Sequence, residues 1–263
     1  MKIFLTGATG FIGRQLVPLM EHHQLLLVGQ HEENFNKTNL KFIKSDLKNF
    51  DSWKEEVEEF SPEACIHLAW SGLPDYSFSR CIENFDINIQ LLNFLTHIEC
   101  KRVFIAGTCW EYGGLQGQTS ENAQAEAPNL FASFKTAIRL VGRQLAISRG
   151  INLIWGRIFF VYGPGQRPTS LIPSCYQSLK DGEVPELRNP NAVNDFIHVS
   201  DVARAILKLI ENPYVEGVFN IGSGKPRSVI DICRIMTKNL IWKTCFPNQL
   251  IALRTTDCGL IPL

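Results

Sequence analysis

Apolar residues along this 263-residue chain fall into two recurring patterns. Short continuous apolar runs occur at Ile3–Leu5, Leu25–Val28, Phe42–Ile43, Cys65–Ala69, Val103–Ala106 and Leu153–Val161. Between them, apolar positions repeat with helical period over Phe11–Met20, Ser52–Phe60, Phe78–Ile98 and Leu130–Ser148. Gly150 stands just past the last of these, where a C-cap glycine belongs. Runs this short, alternating with helices, predict strands covered on both faces, and so a doubly wound α/β fold with a parallel sheet. From Gly163 to Ser200 the texture changes to prolines and glycines with little periodicity. Ser200 is placed to cap a helix over Asp201–Glu211, a strand follows at Val218–Ile221, and Ser228 with Asp231 reads as a capping box opening another helix. The expected organisation is a main domain over 1–162, with a late return of the chain at 192–210. A small lobe over 163–263 would lie over the carboxyl ends of the strands, where such folds bind ligands. From about Leu240 no period is legible, and a truncated lobe is one reading of that stretch.

Hydrophobic residues make up 45% of the chain and charged residues 20%, with a formal net charge of +0. A chain of this length can bury a substantial core. Zero net charge argues against nucleic acid or an anionic membrane surface as the main partner. The eight cysteines show no C-x-x-C spacing, and Cys65, Cys100 and Cys233 sit in or beside apolar runs. Buried thiols in a reducing compartment are expected, ahead of disulfides. The histidines lack metal-ligand spacing, so no metal site is expected. The chain opens directly on a strand-like run, without an apolar signal segment or a membrane-length apolar stretch, so a cytoplasmic location is expected.

Thr6–Gly13, TGATGFIG, places glycines at 7, 10 and 13 between the first strand and the first helix. Gly7 allows a tight turn, Gly10 lets the backbone approach a pyrophosphate, and Gly13 lets the helix pack on the sheet with its amides aimed at the phosphates. Thr9, Phe11, Ile12 and Arg14 belong to the same expected contact. This is a Rossmann-type dinucleotide turn in its proper context. An acidic residue about 20 positions on would bind a ribose 2′-hydroxyl. Gln30 stands there instead, and Arg14 and His31 could assist a 2′-phosphate. The residues lean slightly to NADP over NAD, with Glu32 available if the second strand runs two residues longer.

Taken in order, several segments resemble the extended short-chain dehydrogenase/reductases, the epimerase/dehydratase group acting on nucleotide sugars. Beyond TGATGFIG these are KSDL (Lys44–Leu47), CIHLAW (Cys65–Trp70), GTCWEYG (Gly107–Gly113), GRIFFVYGPGQ (Gly156–Gln166), DFIHVSDVA (Asp195–Ala203) and VFNIGSG (Val218–Gly224). The resemblance covers residues 1 to about 235. It implies adenine contacts at Asp46 and Leu47, nicotinamide-ribose contacts at Leu68 and Ala69, a nucleotide-sugar substrate, and a homodimer formed through the helices at Phe78–Ile98 and Leu130–Ser148.

In that family a Ser/Thr, a Tyr and a Lys act together. The phenol exchanges a proton with the substrate oxygen, Lys binds the nicotinamide ribose, and the hydroxyl bonds the same oxygen. Carried over, Thr108 takes the hydroxyl position and Lys135 the lysine, but Phe131 stands where the tyrosine belongs. Loss of a positioned general acid typically costs about 10²–10⁴-fold in rate. Ser133 and Phe134 are not placed to compensate; Tyr112, Glu111, Cys109 and Tyr76 are the candidate substitutes. The family's dehydratases carry Asp-Glu directly after the Thr. Here Cys109 and Trp110 occupy those places, which disfavours water elimination. The expected activity is reduction of a 4-keto group on a nucleoside-diphosphate (6-deoxy)hexose. A 4-epimerase, or an impaired protein that only binds coenzyme or sugar nucleotide, are the alternatives. Tyr76, Glu111, Tyr112, Arg167 and Arg188 are expected at the substrate, the arginines because guanidinium matches phosphate bidentately. Arg157 and Asp195 read as fold-organising.

Overall fold

The computed structural model describes residues 1–241 except Asn34, Asn36, Gln116 and Ala125, without the side chains of 239–241. The unassigned C-terminal stretch from 242 on lies outside the described residues. The chain divides into two compact units, one comprising Met1–Phe159 with Val199–Ile221, the other Phe160–His198 with the described chain from Gly222 on.

The first unit is built on seven strands: β1 (Lys2–Thr6), β2 (Gln24–Gly29), β3 (Leu40–Lys44), β4 (Ala64–His67), β5 (Arg102–Thr108), β6 (Asn152–Ile158) and, after the small strands of the second unit, β10 (Gly217–Ile221). They form one parallel sheet in the order β10-β6-β5-β4-β1-β2-β3. The strand order reverses between β1 and β4, the switch point at which such sheets bind ligands. The doubly wound expectation is met.

Both faces of the sheet are covered. Phe4, Leu26, Cys65, Val103, Ile105, Leu153 and Trp155 form one apolar layer with Leu91, Leu92 and Leu95 of helix α3 (Phe78–His97) and Ile138 of helix α4 (Leu130–Arg149). Ile3, Leu5, Leu25 and Leu27 alternate with that set and are also fully buried. Helices α1 (Gly13–Leu16) and α6 (Val199–Glu211) pack together, and α6 lies against β5 and β6. Trp53, just before helix α2 (Lys54–Phe60), packs edge-on against Phe50 at 4.7 Å and Phe94 at 5.9 Å. Truncating so enclosed a ring typically costs about 3–5 kcal/mol.

Three departures from the sequence pattern have local causes. The helix expected over Phe11–Met20 holds α geometry only to Leu16 and tightens to a 3-10 turn at Val17–Leu19, where Pro18 has no N–H to continue the ladder. The apolar run Leu153–Val161 is two strands. The chain leaves the large sheet after Ile158, and β7 (Phe160–Tyr162) belongs to the second unit. Helix α5 (Leu171–Lys180) lies where little period was legible. Its Pro173 falls in the first turn, where no intrahelical acceptor is needed.

In the second unit, β7 pairs in parallel with β9 (Phe196–His198). The two-residue strands β8 (Val193–Asn194) and β11 (Arg227–Ser228) pair antiparallel. Helix α5 packs with α7 (Val229–Ile241) over a core of Cys175, Leu187, Phe196, Val229 and Cys233. Ser228 accepts from the Asp231 amide at 3.2 Å and donates to its carboxylate at 2.6 Å, as its spacing predicts. Asp195 organises this unit, accepting from the amides of Ser223 and Gly224, each at 2.8 Å.

Candidate active site

The chain leaving β1 and the chain leaving β4 meet at the switch point. Gly7 adopts φ +77°, and a Cβ there would lie 2.7 Å from the Ala69 nitrogen. A Cβ on Gly13 would lie 2.2 Å from the Gly7 carbonyl oxygen. The turn is closed by Gly10 N–H donating to the Gly7 carbonyl and Arg14 N–H to that of Gly10, both at 3.0 Å. The backbone is thus pressed onto Leu68–Ala69 and onto itself so closely that side chains are excluded at Gly7 and Gly13. This is the shape a pyrophosphate cradle requires. At the neighbouring strand ends, Gln30 donates to Asp46 at 2.8 Å, and partly buried Leu47 packs on the core. Arg14 pairs with Glu33 at 2.8 Å, an acid the sequence reading did not weigh.

The expected catalytic positions converge around the carboxyl end of β5. Helix α4 starts at the Asn129 cap, whose side chain accepts from the Ala132 amide at 3.0 Å. Phe131 is in the first turn and Lys135 one turn later, both on the side facing the sheet. Lys135 is 4% exposed; its Nζ donates to the Ala106 carbonyl at 2.8 Å and lies 4.1 Å from the Trp70 ring centre. Burial, opposed by the charge of Glu111, pushes its ammonium down to about 7. Thr108 ends β5, and its Oγ accepts from the Trp110 amide at 3.2 Å. Accepting there leaves its O–H for another partner. Phe131 is packed among three rings: Trp70 and Tyr76 with centroids at 5.1 Å each, and Trp110 at 5.9 Å.

Two expected substrate contacts are corrected. Glu111 is fully buried. Its Oε1 accepts from Trp155 Nε1 at 2.7 Å and the Thr108 amide at 3.1 Å; its Oε2 accepts from Arg157 Nε at 3.1 Å and Arg139 Nε at 3.3 Å. A carboxylate so surrounded organises the β5 end and is no contact for an incoming sugar. Tyr112 is 4% exposed, donates to Asn220 Oδ1 at 2.7 Å, and lies under the Arg157 guanidinium at 4.2 Å. Its proton is committed inside the fold. Arg157 is itself 2% exposed and fold-organising, as its position suggested. Tyr76, by contrast, is exposed and touches Phe131. Arg167 and Arg188 are exposed on the second unit.

Sequence reasoning missed the polar groups beneath the site. His67, at the end of β4, is buried and bonds Thr6 Oγ through Nδ1 at 2.6 Å. Burial, then the charge of Lys135, hold its imidazole down to about 3, with Asn88 acting the other way. It is therefore neutral. Asn84 clamps the loop after β4, accepting from the Ser71 amide at 2.7 Å and donating to its carbonyl at 3.0 Å. A strand-end histidine, and asparagines at positions 84 and 88 on the inner face of a long helix, were the available signals.

Known proteins resemble this chain in sequence and fold. The chain is 29% identical over 249 residues to GDP-6-deoxy-D-talose 4-dehydrogenase from Aggregatibacter actinomycetemcomitans, covering 90% of this chain and 79% of the relative. It is 25% identical over 238 residues to dTDP-6-deoxy-L-talose 4-dehydrogenase (NAD(+)) of the same organism, covering 87% of each. Among solved structures, MoeE5 in complex with UDP-glucuronic acid and NAD superposes with a TM-score of 0.79 at 26% identity, over 91% of this chain and 82% of that one. A family model described as the NAD dependent epimerase/dehydratase family matches residues 3–222, the whole of the sheet and the site just built, and the chain belongs to that family.

Proposed function

We propose that this chain is an NAD(P)-dependent nucleotide-sugar oxidoreductase that reduces the 4-keto group of a nucleoside-diphosphate (6-deoxy)hexose. The observation that carries the reading is the convergence of Thr108 and buried Lys135 at the β5 end, beside a glycine cradle at the switch point. Bound in that cradle, the coenzyme supplies or accepts a hydride. Gly7, Thr9, Gly10, Phe11, Ile12 and Gly13 would hold its pyrophosphate, Asp46 and Leu47 the adenine end, and Leu68, Ala69 and Lys135 the nicotinamide ribose. The O–H of Thr108 is free to donate to the sugar oxygen. Water elimination is disfavoured, because the residues after Thr108 are Cys109 and Trp110, and Glu111 has both oxygens engaged. Two relatives named for 4-dehydrogenation of 6-deoxy sugars fit the same chemistry. Of the two coenzymes we now favour NAD, because Arg14 is already paired with Glu33, which would repel a 2′-phosphate. Arg167 and Arg188 are assigned to the sugar nucleotide's diphosphate. Dimerisation is assigned to α3 and α4, where Phe78, Ile82, Leu140 and Ile147 are exposed.

The test pairs binding with turnover. NAD should raise the melting temperature more than NADP does, and reduced coenzyme should be oxidised in the presence of dTDP- or GDP-linked 4-keto-6-deoxyhexoses. Absence of both effects overturns the reading. A second reading, a protein that binds coenzyme and sugar nucleotide without turnover, is favoured by Phe131 alone. Melting shifts with no oxidation, restored by Phe131→Tyr, would mark a disabled enzyme.

A further inference from the structure

The oxidoreductase reading leaves the substrate oxygen without a proton donor, because Phe131 has none. Of the three rings that contact Phe131, two are indoles, and Tyr76 alone carries an ionisable hydroxyl. The alternatives weaken on geometry: Glu111 has both oxygens occupied, Tyr112 donates into the fold, and a Cys109 thiol is only a weak donor.

Tyr76 is also held in place. Its ring packs against Phe131 at 5.1 Å and against Trp110 at 5.7 Å. Its backbone lies between two anchors. Upstream, Asn84 clamps Ser71. Downstream, Asp75 accepts from the Ser77 amide at 2.9 Å, and Cys81 Sγ donates to the carbonyl of Tyr76 itself at 3.6 Å. Clamped main chain and ring-on-ring packing are how a catalytic group is kept near its working geometry. At 36% exposure the residue remains open to water, so a proton lost from it can be replaced.

Resting on the oxidoreductase reading, we propose that Tyr76 is the proton donor of this enzyme, a phenol delivered by the loop after β4 in place of one delivered by α4. Held in the cradle, reduced coenzyme would supply a hydride to the C4 carbonyl carbon, and Tyr76 would give its phenol proton to the carbonyl oxygen. The ketone would then be a secondary alcohol, the coenzyme would be left oxidised, and water would return a proton to the Tyr76 phenolate. Thr108 donates a second hydrogen bond to the same oxygen, and the Lys135 ammonium stabilises charge from beneath Trp70.

Four chains decide the matter: wild type, Tyr76→Phe, Phe131→Tyr and the double variant, each assayed with dTDP- and GDP-linked 4-keto-6-deoxyhexoses and reduced coenzyme. Tyr76→Phe should lower kcat by about 10²–10⁴-fold while KM rises by no more than about tenfold, and Phe131→Tyr should restore turnover to the Tyr76→Phe chain. Without coenzyme, Tyr76→Phe should weaken binding of GDP-6-deoxy-D-talose or dTDP-6-deoxy-L-talose, read by tryptophan fluorescence, by about two- to tenfold through the lost hydrogen bond. Unchanged kcat or unchanged sugar affinity in Tyr76→Phe overturns the inference, as does a loss that Phe131→Tyr does not rescue. An inert wild type beside an active Phe131→Tyr overturns Tyr76 while leaving the oxidoreductase reading standing. Inactivity of all four chains overturns that reading together with the inference.

Discussion

Replacing Lys135 by methionine should make the protein more stable at neutral pH, and the gain should vanish in a defined pH window. Nζ is buried, and its ammonium is pushed from 10.5 down to about 7. The folded pKa lies below the unfolded one, so between those values the unfolded chain binds more protons, and stability rises with pH. Burying this amine is most costly below about pH 7, and the cost fades toward pH 10.5. At about 1.36 kcal/mol per pKa unit the full penalty is on the order of 5 kcal/mol. Methionine fills similar volume and carries no proton, but it leaves the Ala106 carbonyl without its donor, a pH-independent loss of about 1–3 kcal/mol. The slope is therefore diagnostic, and the intercept is not. Urea unfolding of both chains, followed by tryptophan fluorescence at several pH values across the window, should show the stability difference shrinking by about 1.4 kcal/mol per pH unit. Parallel curves would refute the burial of a neutralised amine at this site. Catalysis should meanwhile be lost, since the group that is costly to bury is the one assigned to the nicotinamide ribose.

Glu111→Gln should lower the urea midpoint by the equivalent of about 3–5 kcal/mol, because Arg157 and Arg139 lose their buried counter-charge. An unchanged midpoint would show that the carboxylate is dispensable to the β5 end. Gly7→Ala combines a positive φ with a Cβ against the Ala69 nitrogen, and should abolish the NAD-dependent rise in melting temperature. A melting response equal to wild type would remove the cradle from the coenzyme site.

The sheet was legible because its strands are continuous apolar runs, and a strand buried on both faces must be written that way. The coenzyme turn was legible for a related reason. Gly7 and Gly13 are positions where any side chain would collide with backbone, so composition at single positions reports the geometry directly. Polar residues carry no such signature. Glu111 is one strand-like step from Trp110 and could have faced the substrate. What turns it inward is the 3-10 turn of Cys109–Tyr112, whose capping box ties the carboxylate back to the Thr108 amide, together with an arginine and a tryptophan from β6 and an arginine from α4. Those partners are 28 to 46 residues away, and no local pattern announces them. The same distance hid the surroundings of position 131. From its helix alone, Phe131 is a tyrosine missing one oxygen. In the fold it is one ring of an aromatic group to which a loop 55 residues upstream contributes the phenol. On the Tyr76 proposal, the hydroxyl that α4 lacks is supplied by the loop after β4, so a helix read by itself cannot decide whether the site holds a phenol.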